Sequence, residues 1–163
     1  MSLLNEDLLV SLVDNFLAPF GCDSDLDNDF SYDSKDDRVY FSIIVSERSD
    51  RLFKQYILNE FHFDVPNIFM ISLLHEVGHA QTLWNFSQKQ IQSAHRVKKA
   101  LEKKLEKDNS DEIYSQYFDL SIEKAATAWA VNYYKNNKTR CDEFYSLFEK
   151  TLHEEFKRIG LTK

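Results

Sequence analysis

Leu4, Leu8, Leu9, Leu12, Val13, Phe16 and Leu17 recur at spacings of three and four, which predicts an amphipathic first helix ended by Pro19 and Gly21. The pattern then changes. Asp23, Asp25, Asp27 and Asp29 alternate as in a calcium loop, but Asn28 and Ser34 stand where that loop needs Gly and Glu, so residues 23–29 read as a solvated acidic loop. Phe30 to Asp33 and Arg38 to Ser46 read as two strands around a turn at 34–37, with Val39, Phe41, Ile43 and Val45 on one face. Helical spacing returns from Arg51 to Phe61 and again from a cap at Asp64 or Asn67 to about Phe86. A further helix is expected over 88–107, with Ala94, Val97, Leu101 and Leu105 inward and lysines outward. Two more follow: one capped by Asp119 or Ser121 and running to about Tyr134, and one carrying Phe144, Leu147, Phe148, Leu152 and Phe156. The expected fold is mainly α (α+β): a single domain over residues 1–163, built of helices with a small antiparallel sheet.

Composition agrees with this outline. An apolar fraction of 43% and an aromatic fraction of 14% belong to a folded globule, and the low counts of Gly (3) and Pro (2) suit long helices. A net charge of −7 argues against nucleic acid as the main ligand. The charge is uneven: residues 21–37 carry seven Asp and one Lys, whereas residues 88–107 carry seven Lys or Arg and two Glu. No apolar run reaches the roughly 18 residues of a membrane span, and MSLLNEDLLV has no signal-peptide pattern. Two cysteines, Cys22 and Cys141, make no disulfide framework, which points to a reduced, cytoplasmic setting. Nothing in the pattern speaks to oligomeric state.

The chemistry lies between Ile68 and Trp84. This segment is apolar almost all round, yet Ser72, His75, Glu76, His79 and Thr82 form a polar stripe along it. Two imidazoles and a carboxylate on a buried helix cost several kcal/mol, about 2–7 for each unpaired polar group, unless each finds a partner. One divalent cation would serve them together. His75 and His79, four apart, are separated by about 6 Å of rise on nearly the same azimuth, so both can reach one ion. Glu76 lies beside that line, placed to act as general base on a metal-activated water. Gly78, inside the same helix, suits close approach of another backbone or simple packing.

Two histidines leave a catalytic zinc site one protein ligand short. Glu123 is the candidate, in the first turn of a helix whose Ala126, Thr127 and Ala130 would permit close packing; a solvated glutamate favouring the helix dipole is equally compatible with that position. Together, His75-Glu-Val-Gly-His79 and the later Glu123, Ala126, Trp129 and Ala130 resemble the ImmA/IrrE-type metallopeptidases, small gluzincin-like proteins common in phages and mobile elements. Their pattern is H-E-x-x-H followed by E-x-x-A-x-x-aromatic-A, and the resemblance spans residues 30–136. It implies a zincin-like domain, Zn2+ as cofactor with His75, His79 and Glu123 as ligands, Glu76 as catalytic base, and a protein or peptide substrate such as a regulator. The chain departs from larger gluzincins at Thr127, where they carry an Asp that orients a histidine; a hydroxyl can take that place.

A second reading stays open: a zinc-binding interaction module without hydrolysis, suggested by Thr127 and by the shortness of the chain. Tyr114, Tyr117, Tyr133, Tyr134 and His153 are candidates to stabilise a transition state, and the strands at 30–46 offer an edge to an extended peptide.

Overall fold

The computed structural model of the chain describes residues 3–108 and 110–161. Helix α1 (Glu6–Leu17) begins where the Asn5 side chain accepts the Leu8 N–H, and Glu6 and Asp7 complement its dipole. Leu9, Val13, Phe16 and Leu17 face the core, and a short turn at Ala18–Phe20 closes the helix on Gly21 at φ 71°. As expected, the remainder is mainly helical: α2 (Glu47–Phe61), α3 (Ile68–Thr82), α4 (Gln88–Lys107), α5 (Asp111–Phe118), α6 (Ser121–Asn136) and α7 (Lys138–Arg158).

The sheet departs from expectation. The first part of the acidic stretch is not a loop but strand β1 (Asp23–Leu26), while residues 27–29 are the expected loop; β2 (Ser31–Asp33) and β3 (Arg38–Phe41) follow, in the order β1-β3-β2. β2 and β3 form the expected antiparallel hairpin, with Tyr32 opposite Val39, but β1 runs parallel to β3, so the sheet is mixed. The alternation Asp-Ser-Asp turns Ser24 inward, where its N–H and hydroxyl both donate to Asp14 Oδ1 at 2.6 and 2.7 Å. Asp25 is left outside to pair with Arg38. β3 is also shorter than expected. The Ser42 hydroxyl donates to Asn28 O and accepts the Ile44 N–H, ending the ladder, and Ile44 and Val45 are exposed.

α3 is the core helix. Met70, Ile71, Leu73, Leu74 and Val77 are fully buried, each stabilising the fold by about 1.5–3 kcal/mol. Asn67 caps it by accepting the Met70 N–H. α6 has neither expected cap: Leu120 holds the N-cap position, and Asp119 accepts from Lys124 Nζ instead. α5, unforeseen, is started by Ser110 and bridges α4 to α6. Among the described residues no helix is long and apolar enough to cross a membrane.

Candidate metal centre

The motif residues stay inside. His75, Glu76 and His79 are 7%, 9% and 8% exposed, and Glu123 on the facing helix α6 is 1% exposed. Ala126, Thr127 and Ala130 are fully buried between the two helices. Their smallness lets the backbones meet: the Ala126 peptide of α6 occupies the space that a Cβ at Gly78 of α3 would need. That contact brings Glu123 over the histidines.

His75 Nε2 lies 3.0 Å and His79 Nε2 3.2 Å from the same oxygen, Glu123 Oε2. The other carboxylate oxygen, Oε1, faces Lys98 Nζ at 3.5 Å. The protons can be assigned around His75. Thr127 Oγ1 must donate to the Glu123 carbonyl, 2.9 Å away, because a carbonyl only accepts. Its oxygen therefore accepts at 3.0 Å from His75, which fixes the hydrogen on Nδ1. A neutral His75 then turns its Nε2 lone pair on the lone pairs of Glu123. Something positive, a proton or a metal ion, must lie between them.

The donor set fits a metal. The three ligand atoms lie within 4.8 Å of one another, so His75, His79 and Glu123 could hold an ion. Tetrahedral bonds of about 2.0–2.1 Å would set neighbouring ligand atoms roughly 3.3 Å apart, close to the distances above. Lys98, by holding Oε1, leaves Glu123 a single oxygen to offer. Two nitrogens and one oxygen would supply three protein ligands to an ion. Without an ion, the carboxylates around His79 favour its protonated form. Burial opposes charge on His79, but the Glu123 hydrogen bond and the Glu76 and Glu123 carboxylates together outweigh it and raise its pKa. Burial likewise opposes ionisation of Glu123, and the two imidazoles hold its carboxyl well below the usual carboxylate range.

Glu76 differs from its neighbours. Although nine-tenths buried, it has no side-chain hydrogen bond among the described residues. It faces a cleft of about 450 Å³ shared with Ser72, His75, Lys98 and Tyr117 and bounded by Phe30 and Ser31 at the edge of β2. Thr82, the last residue of the expected stripe, does not join them; its hydroxyl donates back to Gly78 O at 2.7 Å.

Of the candidate stabilisers, Tyr117 lines this cleft and Tyr114 stands at its wall. Tyr134 is a core residue donating to Asp142, Tyr133 stacks on Trp129, and His153 is exposed on α7. Lys98, expected on the outward, solvated face of its helix, is half-buried and lines this cleft. The signal was its spacing: Ala94, Lys98, Leu101 and Leu105 share the inward face of α4, while Val97, expected inside, is 44% exposed. Burial opposes the Lys98 charge, but Tyr117 and Glu123 beside it raise its pKa. Compared with family models, with curated proteins and with solved structures, the chain finds no match in any of the three.

Proposed function

We propose that the chain is a zinc-dependent endopeptidase acting on a protein or peptide substrate in the cytoplasm. The observation that carries this reading is the convergence of His75 Nε2, His79 Nε2 and Glu123 Oε2 beside a buried carboxylate, Glu76, that has no hydrogen-bond partner among the described residues. His75, His79 and Glu123 would hold the ion, with Thr127 fixing the His75 tautomer and Lys98 the Glu123 rotamer. When bound, zinc supplies the Lewis acidity that polarises a peptide carbonyl and acidifies a water. Glu76 would take a proton from the attacking water as the water oxygen adds to the carbonyl carbon, and would return that proton to the amine nitrogen as the C–N bond breaks. Lys98 Nζ and the Tyr117 hydroxyl border the same cleft and would stabilise negative charge developing on the carbonyl oxygen. The β2 edge would align an extended substrate. The resemblance of the paired motifs to ImmA/IrrE-type metallopeptidases supports the same reading and suggests a regulatory protein as the substrate. The two free, buried cysteines agree with a reducing compartment.

The test compares wild type, Glu76→Gln and His75→Ala for metal content and for cleavage of a proteome-derived peptide library, read by mass spectrometry. Glu76→Gln should keep zinc and lose hydrolysis; His75→Ala should lose both. Unchanged cleavage by Glu76→Gln refutes the assigned base. Zinc binding without cleavage by wild type would favour a metal-stabilised interaction module, and a wild type that binds no metal removes both readings.

A further inference from the structure

The cleft beside the metal ligands has a composition of its own. Its wall is aromatic: Phe53 stacks on Phe118 with centroids 4.9 Å apart, and Tyr114 and Tyr117 line the same space. Its anions come from three separate elements, Asp29 from the loop before β2, Asp50 from α2 and Glu102 from α4. None of the three forms an ion pair among the described residues. Lys98, the cation in the lining, is turned to Glu123 and lies 5.1 Å from the Tyr117 ring centroid. Glu76, nine-tenths buried and without a hydrogen-bond partner among the described residues, opens into the same space.

Flat π-faces with carboxylates around them suit one kind of side chain. A lysine stem or an arginine plane lies against rings, and its charged end needs anions. The protein already makes a contact of this kind at the outer wall, where Arg48 sits 5.7 Å from the Tyr114 centroid. An acidic side chain would meet Asp29, Asp50 and Glu102 instead. We propose that this cleft is a specificity pocket that selects Lys or Arg adjoining the scissile bond of the substrate. Burial raises the Asp50 carboxyl above its ordinary range, although the Ser46 N–H and Lys54 favour its charge, so an entering cation would complete its neutralisation.

This inference rests on the peptidase reading, and the experiment separates the two. Labelled decapeptides with Arg, Lys, Leu or Glu at one central position are titrated by fluorescence anisotropy against zinc-loaded Glu76→Gln protein, which would bind but not cleave. Arg and Lys peptides should bind about tenfold more tightly than Glu, and raised salt should shrink that ratio. The double variant Asp50→Asn, Glu102→Gln should abolish most of the preference. Asp29→Asn, in an exposed loop, serves as a second variant should the double one lose its zinc. Leu or Glu peptides binding as well as Arg, or a preference untouched in both variants, overturns the pocket. Wild type that cleaves with no basic residue beside its cuts overturns the pocket and spares the peptidase. A basic preference in binding with no cleavage by wild type does the reverse.

Discussion

Gly78→Ala tests the helix contact on which the candidate metal site depends. An added Cβ would lie 2.4 Å from Ala126 O and 2.9 Å from both Ala126 C and Cα. Ordinary contact begins near 3.4 Å, so α3 and α6 must part by about 1 Å. No substitution at 126 relieves this, because the clash is with backbone. Alanine favours the helix over glycine by about 0.5–1 kcal/mol, whereas overpacking costs about 1–3 kcal/mol, so the net should be destabilising by about 1–2 kcal/mol. For a chain of this size that lowers Tm by roughly 2–8 °C. The larger effect falls on the metal. His79 is adjacent to Gly78, and Glu123 lies one turn before Ala126, so the separation adds directly to the 3.0 and 3.2 Å gaps between imidazoles and carboxylate. Ligand distances tolerate about 0.2 Å, and a 1 Å displacement should weaken zinc binding by about 10–100-fold. Competition with a fluorescent chelator measures this, with thermal melts in parallel. A variant that melts above wild type and binds zinc equally well would refute the claimed contact.

Three further outcomes are expected. Thr127→Val removes the acceptor of the His75 Nδ1–H and should lower zinc affinity by about 10–100-fold, whereas Thr127→Ser should restore it; chelator competition distinguishes them. Zinc should raise Tm in wild type and chelator should reverse the gain, with no such response in His75→Ala, as calorimetry would show. Arg158 and the Asn5 N–H hold the Glu155 carboxyl below its ordinary value of 4.5, joining the end of α7 to the start of α1. A lowered folded pKa means that this stabilisation is present above pH 4.5 and is lost as pH falls through the folded value. Melts from pH 6 to 3 should therefore show a shallower acid decline for Glu155→Gln than for wild type.

Sequence reading succeeded where the relevant geometry is local. His75, Glu76 and His79 lie on one helix, and helical spacing alone sets their relative directions before any tertiary contact is known. It failed where a partner from elsewhere decides. Asp23 to Leu26 has the composition of a loop, and it becomes a strand because Asp14 takes both donors of Ser24 and β3 offers it an edge. Residues 111–118 are too short and too polar to announce a helix, and α5 exists by packing on α2, α4 and α6.

Lys98 marks the boundary between these cases. Its spacing placed it on the inward face of α4 as clearly as Ala94 or Leu101, but a lysine is read as solvated by default. That default holds unless a buried anion waits opposite. Here Glu123 Oε1 waits, because both imidazoles take Oε2 and leave the second oxygen without a ligand role. The lysine is therefore explained by the candidate metal cluster, through Glu123, rather than by its own helix. An inward cation at core spacing is then evidence for a buried anion on a facing element, and in this chain Lys98 points back to Glu123, the one member of the candidate metal cluster that spacing along α3 could not supply.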